Sequence, residues 1–175
     1  PPITHYLLEG PNKSYRVYGY YEFIGKMGKN SLTSGLRGPC TVEFPDGVRI
    51  RFNAPDFKLG GTIVGDRTID CIGSIVFEDL TNKMRALVVL GTFKKSGFFS
   101  TTTSGSKTDI QGQLYEIKSS GLKPTKFGKD QNLPEELGKL KDVQKKLADI
   151  SGNWLQQLVI GGQAYWNADT HRVTR

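Results

Sequence analysis

Residues 40–52 read Cys-Thr-Val-Glu-Phe-Pro-Asp-Gly-Val-Arg-Ile-Arg-Phe, and this stretch decides the fold class. Cys40, Val42 and Phe44 alternate with Thr41 and Glu43. Pro45-Asp46-Gly47 supplies turn chemistry, and Val48, Ile50 and Phe52 then alternate with Arg49 and Arg51. A period of two on both sides of a turn is the pattern of an antiparallel hairpin with one apolar and one polar face. Upstream, Tyr15, Val17, Gly19, Tyr21 and Phe23 share one face, and Ser14, Arg16 and Glu22 share the other. Downstream, Ile69, Cys71, Gly73, Ile75 and Phe77 alternate with Asp70, Ser74 and Glu78. Asp79-Leu80-Thr81-Asn82-Lys83 turns the chain into an apolar run from Met84 to Phe93, and Ile110 to Ile117 supplies a further strand. No helical period separates these strands, which excludes parallel βαβ architectures. The expectation is a mainly β, antiparallel protein, its sheet bent and turned by 21 glycines.

One segment differs. Lys118 to Asp149 carries eight Lys and five acids. Its second half has Asn132 as a candidate N-cap, Glu135 three residues on, and Leu137, Leu140, Val143 and Leu147 on one stripe. This predicts an amphipathic helix over 133–148, inserted into the sheet as part of a Lys-rich excursion at about 118–149. Strand character resumes at Trp154–Ile160 and Ala164–Trp166, on either side of Gly161-Gly162. The whole of 1–175 reads as a single domain.

Composition narrows the function. The chain has 24 Lys+Arg against 17 Asp+Glu, a net charge of +7, so a charged partner would be anionic. Two cysteines, Cys40 and Cys71, make no disulfide framework and no metal spacing, and reduced cytosolic thiols are expected. No apolar run approaches the length of a membrane-spanning helix, and the start is no signal peptide. A start at Pro1 without Met predicts a fragment. The two histidines, His5 and His171, stand at opposite ends of the chain. There is no nucleophile elbow, and Gly25-Lys26-Met27-Gly28-Lys29 lacks P-loop spacing. Asp66, Asp70, Glu78 and Asp79 fall on polar strand positions and turns. The expectation is therefore a protein without catalytic residues, metal or cofactor.

A curved antiparallel sheet closed around itself can enclose an apolar ligand. Tyr15, Tyr21, Phe23, Phe44, Phe52 and Phe77 could line such a cavity, or equally fill a packed core. The Lys-rich helix offers either a solvated face or a contact with anionic lipid headgroups. A basic β-barrel module binding nucleic acid or another polyanion is the alternative, although no RNP-type motif is present.

The ordered motifs carry a resemblance. Pro1-Pro2-Ile3-Thr4 resembles the end of the EQVSHHPP signature of the oxysterol-binding-protein family. Val17-Tyr18-Gly19-Tyr20 and Gly60-Gly61-Thr62-Ile63-Val64-Gly65 follow, the latter similar to that family's "hNiivGklwiE" region. Asp79-Leu80-Thr81-Asn82, Phe93-Lys94-Lys95-Ser96-Gly97-Phe98-Phe99, Ile110-Gln111-Gly112, Gly152-Asn153-Trp154 and Tyr165-Trp166-Asn167 resemble later positions in the same order. The resemblance implies an incompletely closed antiparallel β-barrel around a tunnel that holds a sterol or a phospholipid. It also implies exchange for phosphatidylinositol 4-phosphate by the full-length protein, and work in the cytoplasm, peripheral to membranes with an anionic surface. Pro1 and Pro2 carry over as the signature remnant, and the His-His pair that would grip the phosphate precedes them. The resemblance puts Tyr21 and Arg37 at polar tunnel positions, and with Tyr15, Val17 and Phe23 they form the expected wall. An open sheet also leaves strand edges, so edge-to-edge self-association of the fragment is expected.

Overall fold

Alternation builds what it predicts. The computed structural model describes residues 3–91, 108–118, 125–127 and 144–171, and these hold one twelve-stranded sheet in which every pairing is antiparallel. The strands are β1 (Ile3–Glu9), β2 (Arg16–Met27), β3 (Ser31–Arg37), β4 (Pro39–Glu43), β5 (Arg49–Asn53) and β6 (Asp56–Gly60). They continue as β7 (Thr68–Asp79), β8 (Met84–Leu90), β9 (Asp109–Ile117), β10 (Gln144–Asn153), β11 (Gln157–Ile160) and β12 (Gln163–Asn167), with one turn of helix, α1 (Ala168–His171). The hairpin expected at 40–52 is β4–β5, with Val42 opposite Ile50 and Cys40 opposite Phe52.

The sheet runs from β12 through β11, β10, β9, β8 and β7 to a ring of pairings among β7, β5, β4, β2, β3 and β6. The ring has a simple origin. β4 and β3 pair with successive stretches of β2 in one register, and β5 and β6 pair with successive stretches of β7. One line of backbone interruptions crosses these strands, at Gly38, at Ala54-Pro55 and at Gly73. Gly38 (φ 144°) and Gly73 (φ 99°) take backbone conformations that L side chains rarely adopt. Beyond the line, the ends of β2 and β7 join β3 and β6 in a four-stranded lobe. Among the described residues β12 pairs with β11 alone, so the strands from β8 to β12 extend beyond the ring.

The helix expected over 133–148 is not what forms at its C-terminal end. Gln144–Asn153 is strand β10, paired with β9 from Gln144 opposite Ile117 to Asn153 opposite Asp109. Leu147, expected on the apolar stripe, falls instead at the register shift between Lys146 and Ala148 and is exposed. The free edge of β9 offers a continuous backbone ladder, and such tertiary pairing overrides helical spacing. Residues 133–143, with Leu137, Leu140 and Val143, lie outside the described residues, as do Pro1, Pro2 and the stretch Phe93–Phe99.

The most deeply buried side chains stand on β7, β8 and β9. Val76 faces Leu87, Glu78 faces Arg85, and Arg85 faces Tyr115, all on one side of the sheet. Glu78 is 0% exposed and Arg85 1%. Arg85 Nε and Nη2 donate to Glu78 Oε1 at 2.9 and 2.8 Å. The Thr125 amide donates to Glu78 Oε2 at 2.9 Å and its hydroxyl donates to Oε1. The Arg51 guanidinium lies 3.9 Å from Oε2 and 5.4 Å from the centre of the Phe127 ring. Residues 125–127 are thus strapped over the sheet by a carboxylate whose oxygens are all engaged.

Removing a buried carboxylate leaves its cation uncompensated. Glu78→Ala should therefore lower unfolding free energy by about 3–5 kcal/mol in urea melts. Glu43→Ala, which breaks the exposed Arg49 pair at 2.9 Å, should cost about 1 kcal/mol or less. Equal losses would contradict the assignment of Glu78 as the anchor.

Candidate functional site

Direct cross-strand partners project to the same side of a sheet, so the register sorts the residues into two faces. One face is largely apolar, with Asp79, Glu116 and Lys145 toward one end of β7, β9 and β10. It carries Val17 and Val42, Cys40 and Phe52, Phe52 and Phe77, Phe77 and Ala86, Ala86 and Leu114, and Gly112 and Ile150 as successive partners. The other is mixed: Arg16 opposite Glu43, Thr41 opposite Arg51, Arg51 opposite Glu78, and Leu87 opposite Gln113. The mixed face is the better covered one. It holds Val76, Glu78, Arg85, Leu87 and Tyr115 buried, whereas on the apolar face Val88 and Ile150 are buried and Phe52, Ile75, Phe77, Ala86, Leu90 and Leu114 are half-buried among the described residues. Phe52 and Phe77 rings stand 5.3 Å apart there.

The apolar face deepens into a cavity of about 240 Å³ lined by Phe57, Ile69, Cys71, Leu90 and Trp154. Phe57 faces Cys71 and Leu59 faces Ile69 across β6–β7, and Trp154 reaches in from the turn after β10, held by its amide on the Thr108 carbonyl at 3.0 Å. Burial, and secondarily the negative Asp56, push the Cys71 thiol up from its usual range.

Polar groups on this face cluster where β1 crosses β2. Tyr6 lies opposite Gly19, and a Cβ at Gly19 would meet the Tyr6 hydroxyl and the Pro39 carbonyl. The missing side chain lets Tyr6 lie across β2, hydrogen-bond with the Cys40 thiol and approach Tyr21, ring centres 6.0 Å apart. Burial first, then the Cys40 contact, raise the Tyr6 phenol well above its usual range.

Of the expected wall residues, Val17, Tyr21 and Phe23 share the apolar face. Tyr15 precedes β2 and belongs to the turn, with its carbonyl accepting the Gly10 amide at 2.8 Å and its ring over Gly10. Arg37, expected at a polar tunnel position, is the last residue of β3 and faces Glu22 on the mixed face, opposite in orientation to Tyr21. Its guanidinium binds Asp56 through two bonds of 2.6 and 2.9 Å, an interaction that raises its pKa further. Gly35 leaves the space for this pair, since a Cβ there would collide with both partners. Phe57, Trp154, Tyr6 and Cys40 went unnoticed as site residues. Phe57 and Leu59 alternate with Asp56 and Lys58, but over five residues the signal is short.

Set against known proteins, this geometry has counterparts. No family model matches the chain. Oxysterol-binding protein 9 of Dictyostelium discoideum is 26% identical over 170 residues, which is 95% of this chain and 37% of that protein. The chain is thus similar in sequence to an oxysterol-binding protein. The same fold occurs in the ORD of Osh3 from Saccharomyces cerevisiae, solved with PI(4)P (TM-score 0.58, 15% identity, 95% of this chain and 37% of that one). It occurs also in the Osh1 ORD, solved with cholesterol and with ergosterol (TM-scores both 0.59, identities 12% and 13%, covering all of this chain and about a third of those). The chain spans little more than a third of the length of the proteins it matches.

A raised thiol pKa makes the thiolate scarcer at a given pH, and only the thiolate is alkylated. In a Cys40→Ser background, the pH midpoint for iodoacetamide labelling of Cys71 should lie above that of the urea-unfolded chain. Coincident midpoints would contradict the buried placement of the thiol.

Proposed function

We propose that the chain binds a lipid against its apolar face and, in the protein to which it belongs, carries that lipid between membranes it visits peripherally. One observation carries the reading: among the described residues the least exposed side chains stand on the mixed face, while most of the apolar face is only half-buried. Burial of apolar surface is the dominant favourable term in folding, so a sheet that leaves its greasier side open has something else to place there. A sterol or a phospholipid acyl chain matches a wall of Val, Leu, Ile and Phe with few polar groups. The Tyr6 hydroxyl, held beside Cys40 and Tyr21, supplies one hydrogen-bonding point for a polar end.

The Osh ORDs solved with PI(4)P, cholesterol and ergosterol support this ligand class. Exchange of the carried lipid for phosphatidylinositol 4-phosphate and action on cytoplasmic membrane surfaces belong to the same proposal. The polyanion-binding alternative gains no support from the described arginines. Five of the six, Arg16, Arg37, Arg49, Arg51 and Arg85, lie within 4 Å of a carboxylate.

The test uses Trp154 as reporter in a Trp166→Phe background. Titration with ergosterol, phosphatidylcholine or phosphatidylinositol 4-phosphate should give a saturable change in Trp154 emission for at least one lipid, and that lipid should slow Cys71 alkylation. Phe57→Asp, which places a charge in the cavity wall, should weaken loading by about tenfold or more. A folded chain whose Trp154 emission and Cys71 reactivity ignore all three lipids would overturn the reading.

A further inference from the structure

Beyond the line of interruptions, two hairpin tips meet. Ser31 pairs with Gly60 and Gly60 with Thr68, so the β2–β3 turn at Gly28-Lys29-Asn30 lies beside the β6–β7 loop, residues 61–67. Asn30 ties them together. Its Oδ1 accepts the amides of Ile63 and Val64 at 2.8 and 3.1 Å, and its Nδ2 donates to the Val64 carbonyl at 2.7 Å. Gly61, at φ 66° and against the Asp66 carbonyl, lets the loop double back. The Ile63 and Val64 amides and the Val64 carbonyl are therefore satisfied by Asn30, while the apex side chains are turned out. Ile63 is 75% exposed, Val64 73%, and the adjoining Met27 79%.

The surroundings are basic. Lys26, Lys29 and Arg67 are exposed around the apex, with Asp66 the acid among residues 26–31 and 61–68. The lobe also projects: Thr68–Ile72 of β7 pair with β6, and pairing with β8 begins only at Gly73. An apolar apex on a projecting lobe, with cations behind it, suits the interface of an anionic bilayer. Apolar side chains enter the acyl boundary while Lys and Arg stay with the headgroups. Backbone polar groups that leave water must be paired internally, which is what Asn30 does for Ile63 and Val64.

We infer that Ile63 and Val64, with Met27, form a wedge that inserts into anionic membranes, held in shape by Asn30 and drawn down by Lys26, Lys29 and Arg67. The inference rests on the lipid-carrier reading for its setting, but it concerns docking rather than cargo. Asn30 is a positioning residue.

The probe is vesicles of phosphatidylcholine, with and without phosphatidylserine. Sedimentation with phosphatidylserine vesicles should fall about tenfold or more for I63D/V64D. Asn30→Ala should weaken it less, and Lys26→Glu with Lys29→Glu should abolish the dependence on phosphatidylserine. Val64→Trp should shift its emission to the blue on those vesicles. Melting midpoints and uptake of ergosterol from cyclodextrin should match the parent chain in every variant. A parent chain that ignores the vesicles, or a folded I63D/V64D that binds them undiminished, overturns the wedge. So does an I63D/V64D whose only change is loss of self-association in ultracentrifugation or of single-stranded RNA binding. Vesicle docking through the tip in a chain that takes up no ergosterol upholds the wedge while counting against the carrier reading.

Discussion

The Glu78 carboxylate is the constraint from which the arrangement follows. An ionised group with no exposed surface is tolerated only when every oxygen is paired. Here Arg85 crosses from β8, Arg51 approaches from β5, and Thr125 closes over the top with its amide and hydroxyl. Those partners come from one side of the sheet, so that side must be covered. Val76, Leu87, Tyr115 and Ile117 pack around the same anchor. Among the described residues the apolar side is the less covered one.

A second constraint shapes the surface. At Ala54-Pro55 the backbone leaves β7 between the Phe52–Phe77 and Asp56–Ile72 pairs. The Asn53 side chain spans the gap, donating to the Ser74 carbonyl at 2.7 Å and accepting the Val76 amide at 2.8 Å. A side-chain amide standing in for a peptide unit keeps the ladder satisfied through the bend. The Arg37–Asp56 pair then clamps the mixed side of the bend. Its apolar side carries the cavity formed by Phe57, Ile69, Cys71, Leu90 and Trp154. Arg37 thus holds the bend through Asp56 and does not line this cavity.

Much of the fold was legible where alternation ran for eight residues or more, as in β2, β7 and β9. β3 and β6 were missed because Ser31–Arg37 is rich in small polar residues and Asp56–Gly60 is short, so neither has a strong period. The C-terminal end of the expected helix failed for the opposite reason. The Leu and Val spacing there was good, but pairing of Gln144–Asn153 to the edge of β9 is a long-range effect that local spacing cannot register. The site was legible in part: Val17, Tyr21 and Phe23 share a face because side-chain direction along a strand follows from parity. Tyr6 and Trp154 join that face through cross-strand contacts and a turn, and Arg37 leaves it because its position depended on the register of β3 against β2.

The central claim is that lipid lies on one named face of the sheet. Photolabelling with diazirine-bearing sterol and phospholipid, followed by peptide sequencing of the adducts, reads this at single-residue level. The account predicts adducts at alternate positions of the strands, on Val17, Tyr21, Phe52, Phe77, Leu90 or Leu114. Adducts concentrated instead on the intervening positions, Tyr18, Arg51, Val76, Leu87 or Gln113, would place the ligand on the mixed face and contradict it.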